Sequence, residues 1–403
     1  MIDRKIINDP VHGMMAFKSG LIYTLINHPY FQRLRRITQM GLSHLVYPGA
    51  VHTRFQHALG ATFLMSKSLD VLRSKDIEIS DEEYDAACAA VLLHDIGHGP
   101  YSHALEYQLI PIHHEAITLE VMNMLNLELG GQLRLAIDIF KNNYHRKFFH
   151  QLVSSQLDVD RLDYLTRDSF FTGVVEGTIG YERIINMFTV TSDELVVEEK
   201  AIYTIERYLQ SRKFMYQQVY LHKTSLGAEA ILKSFIRRLT ELLETKPNFI
   251  ANFSNSISDF ISSSESKNGV DDQNIKQYLS LDDNDVVFCL KVAQSCNDQV
   301  LRRLSTMLIE RKLPKVKIQD EAFSNSDITL LKQEAKKSSN FTFDELNYFI
   351  FQGEETLNIY NIGEDEIEIV KKDGTKLNFS KYHPNVDSQN FYKKCYICNS
   401  FKF

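Results

Sequence analysis

Leu92-Leu93-His94-Asp95-Ile96-Gly97-His98-Gly99-Pro100-Tyr101-Ser102-His103 is the stretch on which the reading of this chain turns. Upstream of it, Ser80 and Glu83 have the spacing of a capping box. They predict a helix over Asp81 to Asp95, with Gly97 and Gly99 as the chain-reversing residues at its end. His94 and Asp95 then sit on the last turn of a buried, Ala-rich helix. A neutral imidazole beside a hard carboxylate suits a divalent metal of borderline softness. A single His-Asp pair is weak evidence, and its weight comes from what accompanies it.

Upstream, His52-Thr53-Arg54-Phe55-Gln56-His57 adds an imidazole with an arginine one helical turn before it. Downstream, Asp158 to Asp168 puts Asp160, Tyr164 and Asp168 on one helical stripe at i, i+4 and i+8. His57, His94, Asp95 and Asp160 thereby become available as metal ligands. Two imidazoles and two carboxylates, with room for water or a phosphate oxygen, suit hydrolytic metal chemistry. Manganese, iron, magnesium, zinc and nickel would all be accepted, so the donor set does not choose among them.

Residues 20 to 245 carry mostly helical periodicity. A small β patch is expected at Met187 to Glu206, with Leu195-Val196-Val197 and Ile202-Tyr203-Thr204-Ile205 flanking a turn at Glu199-Lys200. A long helix from Ile205 to Glu244 is expected after it. Asn252 to Asn274 is rich in Ser, Asn and Asp and marks a loop or boundary. Beyond it come a helix over Asn284 to Lys312 and strands, with Asp373-Gly374 as a hairpin turn between Glu366–Val370 and Thr375–Phe379.

The chain has 403 residues, 44% hydrophobic and 24% charged, with a formal net charge of −7. This composition is that of a folded protein and argues against bulk nucleic-acid binding, which usually requires a basic domain. No run approaches the roughly 18 apolar residues of a membrane span, and the first residues lack a signal-peptide core. The expected compartment is the cytoplasm. Five irregularly placed cysteines fit a reducing environment; Cys395 and Cys398 form a lone Cys-x-x-Cys without the second pair that structural zinc would need.

The sequence resembles the HD-domain deoxynucleoside triphosphate triphosphohydrolases, especially the branch of the animal SAM-and-HD-domain protein and its bacterial relatives, here without the SAM module. The matching runs are Asn8 to Gly13, Phe31 to Ile37, Tyr47 to Ala50 with the His57 motif, the His94 motif through His103, His114-Glu115, and Asp158 to Asp168. The resemblance implies a mostly α fold: an HD-domain helical core with a small antiparallel β patch and a mixed α+β C-terminal region. It divides into a core at 1–250 and a region at 251–403 that helps assembly.

The resemblance assigns the metal to His57, His94, Asp95 and Asp160, and catalysis to His103, supported by His114, Glu106 and His98. Glu106 stands where the family usually has Asp. The resemblance gives the triphosphate to Arg54, His98, Arg161 and Arg212, and the sugar to Gln39, Tyr164 and Asp168. Tyr220, beside Met40, would be the wall that excludes a 2′-hydroxyl, and Tyr216 would line the same helix face. Cleavage at the α-phosphorus would release deoxynucleoside and triphosphate.

In regulated members, Gln32 and Arg35 match residues that bind an activating nucleotide between subunits of a homotetramer, and Lys223 belongs to the same assignment. Asn27 stands where an Asp reads guanine. An amide pairs less well than a carboxylate with two adjacent N–H donors, so activation without a strict guanine requirement is expected. Without the resemblance, His12 and His52 read as turn or packing residues, and Arg33, Arg35 and Arg36 as a solvated face. Two rival functions share the metal set: another HD phosphohydrolase acting on monophosphates, cyclic dinucleotides or guanosine polyphosphates, and a non-catalytic nucleotide or single-strand nucleic-acid binder.

Overall fold

The computed structural model describes residues 4–18, 20–246, 253, 255–263, 272–363, 365–382 and 391–401. Helices dominate, and three of them build the framework. Arg54–Ser74 packs against both Asp81–Leu93 and Val159–Thr172. Arg54–Ser74 is buried along most of its length, through Phe55, Ala58, Leu59, Ala61, Leu64 and Met65. The buried apolar side chains form one contiguous cluster from Met15 to Phe379, and a smaller one where Leu226 and Ala230 meet Val316, Tyr396 and Cys398. Among the described residues no helix is long and apolar enough to cross a membrane.

The capping box forms as expected: Glu83 N donates to Ser80 Oγ at 3.1 Å and Ser80 N to Glu83 Oε2 at 2.8 Å. The helix ends at Leu93, so His94 is its C-cap. Gly97 and Gly99 have a different purpose from the one expected. Neither has a positive φ. A Cβ at Gly97 would lie 2.3 Å from the His114 carbonyl oxygen, and one at Gly99 2.1 Å from Tyr278 Oη. They are small because backbone and ring approach closely there, while the left-handed residue of the turn is Tyr101 at φ 44°.

Several expected elements differ. The hairpin pairs Phe188–Thr191 with Glu194–Glu198 around Ser192-Asp193, whose φ values of 55° and 60° suit a two-residue turn. Ile202 to Ile205, expected as its second strand, instead opens the helix Ile202–Met215. Ile205, Tyr208, Leu209, Arg212 and Met215 are all buried at spacings of three and four, and that stripe outweighs local β preference. The hairpin is extended by parallel pairing of Val197-Glu198 with Ile369-Val370. The expected turn at Asp373-Gly374 is present, with Gly374 at φ 83° between Glu368–Val370 and Lys376–Asn378.

The long helix expected over Ile205 to Glu244 is interrupted. After Met215 the chain makes a π turn over Tyr216–Tyr220, in which Leu221 N bonds Tyr216 O at 2.8 Å. The helix restarts at Lys223, where His222 Nδ1 accepts from Thr224 N. The helix expected over Asn284 to Lys312 is likewise two, Asp283–Ala293 and Gln299–Ile309, because Asp298 caps the second by accepting from Leu301 N at 2.9 Å. The N-terminal hairpin Arg4–Asp9 with Gly13–Lys18 was not anticipated; Met15 and Phe17 bury one of its faces. Residues 252, 254 and 264–271, and with them the boundary at 250–251, lie outside the described residues, whereas Ser256–Ser262, expected as loop, is a helix because Ile257, Phe260 and Ile261 are buried against the core. The C-terminal sheet is antiparallel, with Phe391–Asn399 between Lys315–Gln319 and Ile350–Asn358. Cys395 and Cys398 are buried free thiols on its central strand.

Candidate active site

The three packed helices deliver His57 from one, His94 and Asp95 from the end of the second, and Asp160 from the first turn of the third. His57 Nε2 lies 2.9 Å from Asp160 Oδ1 and 3.8 Å from Asp95 Oδ2. His94 Nε2 lies 3.4 Å from Asp160 Oδ1 and 3.3 Å from Asp95 Oδ1. The donor atoms of His57, His94 and Asp160 all fall within 4.8 Å of one another.

What lies behind the imidazoles fixes which nitrogen faces inward. His57 Nδ1 contacts Asp163 Oδ2 at 2.8 Å, and His94 Nδ1 contacts the Val91 carbonyl at 2.5 Å. With both Nδ1 atoms donating, both Nε2 atoms present lone pairs, and each Nε2 is buried without a hydrogen-bond partner. Burial alone would lower the His57 pKa, but the adjacent Asp160 carboxylate and the hydrogen-bonded Asp163 carry it up to about 10. His94 is likewise opposed by burial yet raised to about 9 by Asp95 and Asp160. The carboxylates therefore stabilise positive charge at this point. A divalent cation would supply it and displace the protons, so these residues fit the ion that the sequence implies.

Asp163 was missed by sequence reasoning, and it organises the site. It is fully buried and accepts from His12 Nε2 at 2.6 Å, His57 Nδ1 at 2.8 Å, and Arg167 Nε and Nη2 at 2.9 Å each. Arg167 continues to Asp9 Oδ2 at 2.8 Å. The available signal was Asp163 three residues after Asp160 and four before Arg167, charged residues on an otherwise apolar helix face. His52, read as packing, does stack on Phe171 but also contacts Asp168 Oδ1 at 2.7 Å. Arg33, read as solvated, is buried and donates from Nε to the Leu281 carbonyl, because the chain beyond residue 280 covers it.

A cavity of about 530 Å³ adjoins the metal ligands. Every residue expected at the substrate lines it: Gln39, Met40, Arg54, Arg161, Tyr164, Asp168, Arg212, Tyr216 and Tyr220, with His98, His103 and His114. Tyr220 Oη donates to Asp168 Oδ2 at 2.6 Å, Tyr216 packs edge-on to Tyr220, and Arg212 lies over the Tyr216 ring at 5.9 Å. Arg54 is engaged on the wall, bonding Asp95 and Ser102 Oγ, with His103 Nε2 at 3.5 Å. Arg161 bonds Asp158 through Nη1, leaving its buried Nε without a partner, as is that of Arg212. Glu229, Lys233, Glu355 and Thr356 also line it, as do Ser43, Leu221 and Leu226, and none of these was foreseen.

His103 is exposed toward the cavity. Removal from bulk water and the Arg54 guanidinium lower its pKa, which keeps the imidazole neutral at pH 7. Behind it, His114 Nδ1 meets Glu106 Oε1 at 2.6 Å, and the His114 ring stacks on His98 at 3.9 Å. At another corner Gln32 Nε2 donates to the Ile26 carbonyl and Gln32 Oε1 accepts from Arg35 Nε, beside Asn27. Arg35 also covers the Phe55 ring at 3.6 Å, and Lys223 is exposed at the start of its helix.

Residues 179–268 match the HD associated region family model. The protein YwfO of Bacillus subtilis is 30% identical over 425 residues, covering 99% of this chain and 94% of that one. A phosphohydrolase crystal structure from Bacteroides thetaiotaomicron is 44% identical with a TM-score of 0.92, over 98% of this chain and all of that one. The chain belongs to the HD-domain phosphohydrolases. Within them it is similar to the deoxynucleoside triphosphate triphosphohydrolase SAMHD1 of Homo sapiens, at 28% identity over 60% of this chain and 45% of that protein. This HD phosphohydrolase thus spans less than half the length of that named relative.

Proposed function

We propose that this HD phosphohydrolase cleaves deoxynucleoside triphosphates at the α-phosphorus, releasing a deoxynucleoside and triphosphate. The observation that carries the reading is one cavity lined by Asp95, Asp160, three arginines and the Asp168–Tyr220 pair, with His57 and His94 beside Asp160. A divalent metal held by the four ligands would activate water and polarise the phosphoryl group. Arg54, Arg161 and Arg212 bind the triphosphate, and the buried Nε atoms of all three are without partners in the protein itself. Gln39, whose buried Oε1 is also unpartnered, orients the sugar with Tyr164 and Asp168. Tyr220, held by Asp168, closes the side on which a ribose would carry its 2′-hydroxyl.

His103 is neutral before substrate enters. A polyphosphate anion at Arg54 would offset that cation and raise the imidazole, enabling it to protonate the departing 5′ oxygen. Glu106, by accepting from His114 Nδ1, would leave this second cavity-lining imidazole with its lone pair on Nε2. We further read Asn27, Gln32, Arg35 and Lys223 as an activating-nucleotide site between subunits of a homotetramer, with residues 251–403 helping assembly.

The test is to incubate the purified chain with each deoxynucleoside triphosphate, singly and mixed, plus manganese, and to identify products by ion-pair chromatography. Deoxynucleoside with intact triphosphate is expected, and greater turnover in mixtures if activation holds. Diphosphate or monophosphate products would move the chain to another HD phosphohydrolase activity.

A further inference from the structure

A second group of metal-binding side chains lies beside the cavity, built on the turn that leads into the helix His114–Glu128. Glu106 Oε1 lies 2.6 Å from His114 Nδ1 and 3.6 Å from His113 Nε2. The donor atoms of the three residues fall within 4.8 Å of one another. Donor atoms around a tetrahedral zinc ion stand about 3.3 Å apart, given bonds of about 2.0–2.1 Å. The His113–Glu106 spacing already suits such an ion, and the His114–Glu106 contact needs to open by less than an ångström.

Two further observations point to a ligand. His113 is the N-cap of the helix, but its Nδ1 accepts from Glu115 N at a long 3.4 Å, a weak bond that is readily given up. The same Nδ1 lies 3.9 Å from Glu115 Oε2. If it carries the proton, that carboxylate is placed to accept it, which leaves Nε2 as a lone pair facing Glu106. A carboxylate behind the imidazole is the usual support of a metal-bound histidine. The side chain of His113 is 42% exposed, so an ion can reach the group from solvent.

We propose that Glu106, His113 and His114 form a second site for a borderline divalent ion such as zinc, distinct from the His57–His94 centre, and that its occupancy reverses the proton on His114. With Glu106 accepting from Nδ1, the His114 ring offers a lone pair at Nε2. With an ion on Nδ1, the proton moves to Nε2 and the ring becomes a donor toward the cavity. Resting on the phosphohydrolase reading above, this makes the ion an inhibitor, because the imidazole that the Glu106 contact orients no longer has the required tautomer.

The experiment compares the full chain with His113→Asn, which keeps a side chain able to cap the helix while removing the imidazole. Zinc binding is titrated calorimetrically, and cobalt substitution is followed by visible absorption. The unsubstituted chain is expected to bind one equivalent more than the variant, with cobalt bands that the variant lacks. Equal stoichiometry in the two overturns the site. Because the difference carries the test, it is independent of the His57–His94 centre: were that centre absent, the counts would fall to one and zero. Turnover without zinc is expected to be alike in both, with excess zinc inhibiting the unsubstituted chain at least about tenfold more strongly. An extra equivalent that leaves turnover unchanged overturns the tautomer reversal.

Discussion

Asp163 offers the sharpest check on how the site is held, since it does not line the cavity beside the candidate metal ligands and yet carries four hydrogen bonds. Replacing it by Asn keeps the volume but removes the charge, and turns one acceptor oxygen into an N–H₂ donor. That donor must face either His57 Nδ1 or the guanidinium of Arg167, both donors themselves. Arg167 would keep Asp9 as its one charged partner, with the remaining Asn oxygen accepting from one of its nitrogens. Breaking a buried pair in this way costs about 3–5 kcal/mol, which denaturant unfolding measures. The second consequence concerns the metal. His57 loses the carboxylate that backs its ring, and outer partners of this kind are worth 10–100-fold in metal affinity, about 1.4–2.7 kcal/mol. Affinity is read by manganese titration of the folded variant under conditions where it remains native. A variant that is less stable but binds manganese as the parent does would refute the reasoning, reducing Asp163 to a brace for Arg167.

Gly97→Ala places a Cβ 2.3 Å from the His114 carbonyl oxygen and 2.5 Å from Thr118 N, so backbone must move; a loss of about 3 kcal/mol in denaturant unfolding is expected. Glu229 is raised by burial from its ordinary 4.5 to about 7. For an acid with a raised folded pKa, the folded state binds more protons between those values, so stability falls as pH rises from 4.5 to 7. Glu229→Gln should remove that slope, at most about 3 kcal/mol, as seen in unfolding curves at pH 4.5 and 7.5. Tyr220→Val removes both the wall and the bond to Asp168, and is expected to raise turnover of ribonucleoside relative to deoxynucleoside triphosphates at least about tenfold, measured as the ratio of kcat/KM values; an unchanged ratio would place sugar choice elsewhere.

What was legible in the sequence was what short spacing determines. Ser80 and Glu83 lie one turn apart and meet as their spacing predicts, as does the turn at Asp373-Gly374. The candidate metal ligands were legible only in combination, since one His-Asp pair is weak evidence and it took His57, Asp160 and the family resemblance beside it to single out the set whose donor atoms the fold brings together. Asp163, His12 and His52 were not, since their partners lie up to 151 and 116 residues away and nothing local separates a brace from a packing histidine. The long helix was overread for a related reason. Tyr216 and Tyr220 keep an i, i+4 relation whether or not the backbone bonds shift to i+5, so the sequence pattern does not reveal the π turn. Glu355 and Thr356 reach the cavity from a strand about 200 residues beyond the ligands, which no local pattern encodes.

That last feature links occupancy of the cavity to the order of the C-terminal sheet. The wall opposite the helices is formed in part by Ile350–Asn358, which is bonded in register to Phe391–Asn399. Any molecule that touches both walls binds only the state in which the strand is in place, and so favours that state by RT ln(1 + [L]/Kd). At a hundredfold excess over Kd this is about 2.7 kcal/mol, enough to slow amide exchange along the strand roughly a hundredfold where exchange requires it to detach. A nucleotide bound among the helices would then be recorded in deuterium uptake on a strand far along the chain.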